Sequence, residues 1–520
     1  MRAALLIGLC ACGLWADTYP RQPEIDVRHY VFRVTLSDES PEISGEATVT
    51  VRFTTAGVGG FRLDLAQPMN VEEVREDGTA IPFTHTGEQL RIPLAAAPAP
   101  GSGHEFTIRY HGVPAAGLKI ATNKYGEKCF FSENWPDLAH QWLPTIDHPY
   151  DKASGDFFIT APVKYQVVAN GALEEQIDLG DGRRTTHWSQ RVPIATWLYN
   201  IEATQFDSRH FGAAAGVPLE SWLYHQDRDA GIATLEEPLR RAIEFFSAQV
   251  GPYPYQKLAG VEAPIQGGME HASEIFFGER AFTGRPADSL VAHETAHQWF
   301  GDSVTEKDWD DVWLSEGFAT YFALLATEHY QGREAFLSGL RRARVQVLAT
   351  ERRMPGVAVV QSKPWNGIPN QIVYQKGAWV LHLVRGQIGT EKFWAGIREY
   401  YRRFRDGNAS TTDFRKVIEE VSGQDLGWFF QQWLYRAGSP VLEGTWHYDA
   451  ARRQIEIGLE QTQAGEAYRL PLEVGIDGAV EKIEMRAKRQ TFVFPAAHEP
   501  VKVELDPDTW MLMEAKFERR

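Results

Sequence analysis

Cysteine is the residue that this sequence has least of. The 520 residues contain only 3 cysteines, and two of them, Cys10 and Cys12, lie within the first sixteen residues. If those residues are removed, Cys129 remains alone and an internal disulfide is excluded. The folded chain must then be stabilised by its packed cores, which a chain of this length can provide.

Positive charge is also in short supply. Lys and Arg number 53 against 69 Asp and Glu, so the formal net charge is −16. Nucleic acids and anionic lipid surfaces are bound by basic surfaces, and we therefore expect neither as a partner. In other respects the composition is that of a folded globular protein, with 43% hydrophobic and 23% charged residues.

Long hydrophobic runs are missing, apart from one at the N-terminus. Arg2 precedes apolar residues 3–14, a run that is too short to span a bilayer but is typical of a secretory signal peptide. We therefore expect a leader over residues 1–16 and a periplasmic or secreted mature chain without a transmembrane segment. The alternative is a lipid anchor at Cys12, because residues 9–12 resemble a lipobox.

The remaining chain divides into three segments by the period of its apolar residues. Apolar and polar residues alternate over much of residues 17–210, a helical period dominates residues 211–437, and alternation returns in residues 438–520. The pattern predicts an α+β multidomain protein. Its parts are an N-terminal β domain, a mainly α domain and a small C-terminal β-sandwich.

The motif His293-Glu294-x-x-His297 carries the strongest chemical signal. Residues four apart on a helix lie on one face, so His293 and His297 can bind one metal ion. Glu294 projects about 100° further round the helix, where it can act as a base on metal-bound water. A catalytic zinc site needs a third protein ligand, and Glu316, at the start of the next apolar helix, is placed to supply it. The sequence therefore predicts one Zn²⁺ per chain.

At these residues the sequence resembles the gluzincin aminopeptidases, the family that includes aminopeptidase N and the leukotriene-epoxide hydrolase. A second motif matches the family's Gly-x-Met-Glu-Asn exopeptidase motif in four positions, with His271 in place of the usual Asn. A third fits the family's Tyr-x-Lys-Gly motif. These motifs are Gly267-Gly268-Met269-Glu270-His271 and Tyr374-Gln375-Lys376-Gly377.

The resemblance implies a role for each of these motifs. Glu270 would bind the free α-ammonium of the substrate as its direct counter-charge, with Gly267, Gly268 and Met269 beside it in the substrate site. Tyr374 would donate a hydrogen bond to the developing oxyanion. Family members add a second acidic or amide residue from the β domain. Glu133 is the candidate for that position in this chain.

The resemblance also implies a saddle-like N-terminal β domain, a thermolysin-like catalytic domain and a β-sandwich, without the C-terminal α-helical domain of many relatives. The implied activity is that of a zinc aminopeptidase, in which Glu294 activates zinc-bound water to release the first residue of peptides with a free N-terminus. One alternative is a zinc-dependent epoxide hydrolase that uses the same site. Another is a catalytically silent peptide-binding protein, which the joint retention of Glu294, Glu270 and Tyr374 disfavours. No spacing rule identifies the oligomeric state or the preferred N-terminal side chain.

Overall fold

A computed structural model describes residues 17–360 and 370–520 of the chain. The expected leader, with Cys10 and Cys12, lies outside these described residues. Strands come first, then strands mixed with helices, and then strands again. The α+β architecture predicted from the sequence is confirmed. Among the described residues, no helix combines the length and the apolar character needed to cross a bilayer.

The N-terminal region consists of strands in three sheets. An eight-stranded sheet has the order β13-β14-β11-β1-β2-β8-β4-β5, a three-stranded sheet has the order β3-β7-β6, and a four-stranded sheet has the order β12-β15-β10-β9. Burial alternates along β1, where Tyr30, Phe32 and Val34 face the core as the sequence pattern predicts. The strands are β1 (Ile25–Thr35), β2 (Ile43–Phe53), β3 (Gly60–Asp64), β4 (Met69–Glu76), β5 (Thr79–Ala80), β6 (Thr84–Thr86), β7 (Gln89–Pro93), β8 (Gly103–Gly112), β9 (Gly117–Thr122), β10 (Lys128–Glu133), β11 (Lys152–Pro162), β12 (Gln166–Ala169), β13 (Ala172–Asp178), β14 (Arg183–Ala195) and β15 (Ile201–Thr204).

The central region combines a five-stranded sheet, in the order β16-β17-β18-β20-β19, with most of the helices. This sheet begins at Phe206, because β17 pairs in parallel with β18, with Leu219 opposite Leu258. The elements are β16 (Phe206–Ala214), β17 (Val217–Tyr224), α1 (Arg228–Gln249), β18 (Leu258–Ala263), β19 (Gly268–Met269), β20 (Glu274–Gly278), α2 (Asp288–His297), β21 (Val304–Glu306), α3 (Trp313–Gln331), α4 (Arg333–Arg353), α5 (Gly377–Ile388), α6 (Thr390–Phe404), β22 (Gly407–Ala409), α7 (Thr411–Ser422) and α8 (Gly427–Leu434).

The C-terminal region holds two further sheets, in the orders β27-β24-β23-β29 and β26-β25-β28. Ile455 and Ile457 of the first sheet and Leu472 of the second are buried in the core. The ring of Trp510 stacks on His382 of α5 with 4.7 Å between the ring centroids, which joins this region to the helices. The strands are β23 (Val441–Asp449), β24 (Gln454–Gln461), β25 (Leu470–Ile476), β26 (Ala479–Met485), β27 (Arg489–Pro495), β28 (Val503–Leu505) and β29 (Glu514–Arg519).

Candidate metal centre

Three side chains from α2 and α3 present their ligand atoms to one point. The Nε2 atoms of His293 and His297 are 3.3 Å apart. Glu316 Oε2 lies 3.5 Å from the first of these nitrogens and 3.4 Å from the second. The structure therefore brings together the two histidines of one helix and the glutamate at the start of the next.

The size of this triangle fits a zinc ion. Three ligand atoms at 2.0–2.1 Å from Zn²⁺ in tetrahedral directions lie about 3.4 Å from each other. The observed separations are 3.3, 3.4 and 3.5 Å. Glu316 Oε2 is buried and has no hydrogen-bond partner among the described residues, as expected for an oxygen that binds a cation. Two imidazoles and one carboxylate are also the donor set that zinc prefers.

The orientation of the His297 ring is fixed by hydrogen bonds at Nδ1, the ring nitrogen that does not face the other two ligands. Its Nδ1 lies 2.9 Å from Ser315 Oγ and 3.2 Å from the carbonyl oxygen of Phe300. A carbonyl oxygen only accepts hydrogen bonds, so Nδ1 carries the ring proton and Nε2 keeps its lone pair for the metal. Gly301 leaves the room for this contact, because a Cβ at that position would lie 2.3 Å from Ser315 Oγ.

Glu294 lies on the neighbouring face of α2, against the exopeptidase motif. A Cβ at Gly268 would lie only 2.3 Å from Glu294 Oε1, so a larger residue there would displace the carboxylate. One ligand atom each from Glu270, Glu294 and His297 lie within 4.8 Å of one another. The predicted base and the predicted ammonium anchor are therefore direct neighbours.

The exopeptidase motif runs through β19 into the turn before β20. Met269 pairs with Phe276 of β20, and this pairing places the next residue, Glu270, at the edge of the site with Glu270 Oε1 3.8 Å from His297 Nδ1. His271 is fully buried beside Phe276, with 4.8 Å between the ring centroids. Burial lowers the pKa of His271 to about 3, so this residue stays uncharged.

The electrostatics of the cluster favour an added positive charge. Burial and then the neighbouring Glu270 raise the pKa of Glu294 well above its ordinary value. Burial would lower the pKa of His297, but Glu270, Glu316 and Glu294 outweigh it and raise that pKa well above its ordinary value. Burial opposes ionisation of Glu316 as well, yet the neighbouring His293 and His297 rings outweigh it and lower the pKa of Glu316 to about 2. Three buried carboxylates in one place need a cation.

Tyr374 reaches the same point from a π-helical turn, Ile372–Lys376, just before α5. Its hydroxyl donates a hydrogen bond to Glu316 Oε1 at 2.5 Å, and its ring is parallel to that of His293 at 6.0 Å between centroids. Burial, followed by the charge of Glu316, raises the pKa of the phenol, so Tyr374 remains a hydrogen-bond donor. Turns of this kind occur frequently at functional sites.

Glu133 ends β10 and forms an ion pair with Lys119 of β9. Among the described residues, it makes no hydrogen bond or ion pair with the other predicted site residues. Its assignment to the substrate site stays a prediction.

Two residues of this centre were not identified from the sequence, namely Ser315 and Gln298. Ser315 contacts His297, and Gln298 contacts the exopeptidase motif through its side-chain amide. Both lie next to a residue that the motifs did single out. Their chemistry offers no signal by itself, because serine and glutamine occur throughout folded proteins without such a role.

Comparison with known families gives two matches. Residues 236–433 match the description "Peptidase family M1 domain", and residues 27–198 match "Peptidase M1 N-terminal domain". The first match spans α2, α3 and Tyr374, and the second spans most of the N-terminal strands.

Individual proteins agree with this result. Glutamyl aminopeptidase of Sus scrofa is 28% identical over 476 residues, which are 83% of this chain and 49% of that protein. Probable aminopeptidase 1 of Saccharolobus solfataricus is 24% identical over 78% of this chain and 53% of its own length. The chain thus spans about half the length of these curated relatives.

Solved structures cover the fold more fully. The crystal structure of an M1 zinc metallopeptidase from Deinococcus radiodurans superposes with a TM-score of 0.69 and 26% identity, over 77% of this chain and 92% of that one. A variant of a two-domain M1 zinc metallopeptidase bound to L-arginine superposes with a TM-score of 0.67 and 26% identity, with the same coverage of both chains.

Proposed function

The chain belongs to peptidase family M1, and from this we propose that it is a zinc aminopeptidase that releases single residues from peptides with a free N-terminus. His293, His297 and Glu316 would hold the ion. When bound, Zn²⁺ would polarise the scissile carbonyl and increase the acidity of a water molecule in its open coordination position.

The residues of the chain would divide the remaining work. Glu294 would take a proton from the attacking water and deliver it to the leaving amine. Its raised pKa suits this role, because a carboxylate in these surroundings holds a proton readily. Tyr374 would turn its hydroxyl from Glu316 towards the developing oxyanion. Glu270 would bind the α-ammonium of the substrate.

The observation that carries this proposal is the distance between the ammonium anchor and the base. Carboxylate oxygens of Glu270 and Glu294 lie within 4.8 Å of each other. In a peptide, the α-nitrogen and the carbonyl carbon of the same residue are about 2.5 Å apart. An ammonium bound at Glu270 therefore brings the first peptide bond of the substrate, and not a later one, next to Glu294.

The test is hydrolysis of a panel of aminoacyl arylamides, each compared with its N-acetylated form. Acetylation removes the positive charge that Glu270 would bind and adds bulk where the chain must end. We expect turnover of the free amines and resistance of the acetylated compounds. Cleavage of acetylated peptides at internal bonds, at rates comparable to those of N-terminal trimming, would contradict the proposal. A lipid epoxide assayed in parallel tests the hydrolase alternative.

Glu270→Ala gives the matched prediction for the anchor. Loss of a buried charged partner typically costs about 2–5 kcal/mol, so kcat/KM for free-amine substrates should fall by at least about 30-fold. Turnover of acetylated substrates should change little. Mass spectrometry of the products measures both effects in one experiment.

We also propose that the chain is exported and that the leader is removed near Ala16. The support is Arg2 followed by the apolar run of residues 3–14, the pattern of a signal peptide. N-terminal sequencing of the mature protein from the periplasm or the medium should start near Asp17. An acylated Cys12, detected by mass spectrometry, would indicate the lipid anchor instead.

A further inference from the structure

A single buried amide joins the zinc-binding helix to the exopeptidase motif. Gln298 directly follows His297 and its side chain is fully buried. Its Nε2 lies 3.2 Å from the carbonyl oxygens of Glu270 and His271 and 2.8 Å from Asp302 Oδ2, and the two hydrogens of the amide are shared among these three acceptors.

The oxygen of the same amide is also saturated. Oε1 of Gln298 accepts hydrogen bonds from the backbone N–H of Ser273 at 2.8 Å and from the hydroxyl of Tyr253 at 2.9 Å. The amide therefore holds the backbone at both ends of the turn from Glu270 to Ser273. An amide group can make these contacts because it carries donors and an acceptor side by side.

The turn needs an external partner of this kind. Residues 270–273 lie between β19 and β20, outside both strands. Their backbone makes only single contacts with the strands around them, from the N–H of Glu274 to the carbonyl oxygen of His271 and from the N–H of Ala259 to that of Ser273, both at 3.0 Å. Ser273 has a φ of 68°, in the left-handed region that non-glycine residues seldom adopt. Such a conformation persists only where its surroundings hold it, and the hydrogen bond from the Ser273 N–H to Gln298 supplies one such hold.

We propose that Gln298 is a positioning residue that sets the place of the Glu270 carboxylate relative to the zinc-binding helix. This inference rests on the proposed aminopeptidase function. His297 is a metal ligand at the end of α2, and Gln298 is the residue that caps this helix. The position of the motif that binds the ammonium is therefore fixed relative to the metal through two adjacent residues. A misplacement of about 1 Å at such a site can cost on the order of 100-fold in rate.

A double-mutant cycle separates positioning from general stabilisation. The variants are Gln298→Leu, Glu270→Ala and the two together, and the measurement is kcat/KM for a leucyl arylamide and for its N-acetylated form. If Gln298 acts through Glu270, Gln298→Leu should lower kcat/KM for the free amine by about 10- to 100-fold. In the Glu270→Ala background the same change should cost less than about threefold, because the carboxylate that Gln298 positions is already gone. The zinc content should stay at that of the wild type.

Gln461→Leu is the matched control. Gln461 is also buried, and it binds the backbone of the C-terminal region in the same way. Its Nε2 donates a hydrogen bond to the carbonyl oxygen of Tyr468 at 2.8 Å, and its Oε1 accepts one from the backbone N–H of Tyr468 at 2.7 Å. Its replacement should lower thermal stability and leave the preference for the free amine unchanged. Should Gln298→Leu fail to fold, the cycle is run with Gln298→Asn, which keeps the amide but shortens its reach.

Each outcome decides the question. Equal losses from the Gln298 variant in both backgrounds overturn the positioning role and leave the proposed function intact. Unchanged kcat/KM in the single Gln298 variant also overturns it. A wild-type enzyme that cleaves acetylated and free substrates equally well overturns the proposed function and this inference with it.

Discussion

The metal centre can be compared with a second buried cluster of three carboxylates. Glu202 of β15, Glu262 of β18 and Glu274 of β20 lie close enough to influence one another where the N-terminal sheet meets the five-stranded sheet. All three are fully buried. In the number of buried carboxyl groups the two clusters are alike.

Their nitrogen partners differ. In the second cluster the partners are ammonium groups, with Lys257 Nζ 3.3 Å from Glu274 Oε2 and Lys124 Nζ 3.0 Å from Glu262 Oε1. In the metal centre they are imidazoles whose free lone pairs point at the same place as a carboxylate oxygen. Buried acidity alone therefore does not identify a metal site, whereas converging lone pairs do.

Glu202 shows how the second cluster manages its excess charge. Among the described residues, neither of its carboxylate oxygens has a hydrogen-bond partner. Burial and then the charges of Glu274 and Glu262 raise its pKa well above the ordinary value. Glu202 thus stays protonated where the metal-centre carboxylates would be balanced by a cation. Protons and lysines neutralise this cluster, whereas a bound cation would neutralise the metal centre.

The largest effect expected from this comparison is at Glu294. Glu294→Gln keeps the shape of the side chain but cannot accept a proton, so kcat should fall by about 10²–10⁴-fold. Zinc content and the unfolding temperature should remain close to those of the wild type, because Glu294 is not one of the three metal ligands and the amide keeps the shape of the side chain. Retention of more than about a tenth of wild-type turnover would exclude the general-base role.

A smaller effect is expected at Ser315, whose hydroxyl contacts Nδ1 of the metal ligand His297. Ser315→Ala removes one acceptor of the Nδ1–H of His297, at 2.9 Å. Loss of such a partner typically weakens metal binding by about 10- to 100-fold, and we expect the lower end here because the carbonyl oxygen of Phe300 remains as a second acceptor. Competition with a chromophoric chelator measures the zinc affinity directly. Unaltered affinity would mean that the carbonyl oxygen of Phe300 suffices to orient the ring.

The smallest effect is expected at Glu202, and it depends on pH. A carboxyl group whose pKa is higher in the folded than in the unfolded state contributes its full stability below the unfolded-state pKa. That contribution to the free energy of unfolding is lost as the pH rises towards the folded-state pKa. Glu202→Gln has no proton to lose, so it should unfold at a higher temperature than the wild type, by on the order of 1–2 °C near neutrality. The difference should widen from pH 5 to pH 8, with activity unchanged. A constant difference across this range would show that the fold does not raise the pKa of Glu202 above its value in the unfolded chain.

The sequence predicts the parts of the site whose geometry is local. His293, Glu294 and His297 are related by helical spacing alone, and Glu316 by its offset to the next helix. Glu270 and Tyr374 could be identified only through motifs of the family. Gln298 and Ser315 could not be predicted, because their roles depend on which loop and which ring lie against them after folding.

The strands show the same limit. Alternation predicts a β domain that ends near residue 210, but it does not show that the strands around this boundary, β16 and β17, join a different sheet. The structure pairs β17 with β18, so these strands belong to the sheet that carries the exopeptidase motif. The buried acid Glu202 was likewise not identified, since a single polar residue does not interrupt an alternating pattern.

The most direct test of the account is a zinc titration of metal-free protein. After chelation and dialysis, metal content is measured by mass spectrometry and arylamide hydrolysis is followed as zinc is added back. The account predicts negligible activity without metal and a rise that saturates at about one zinc per chain, with no such saturation in His293→Ala. Full activity in protein that holds no zinc and is insensitive to chelators would contradict it.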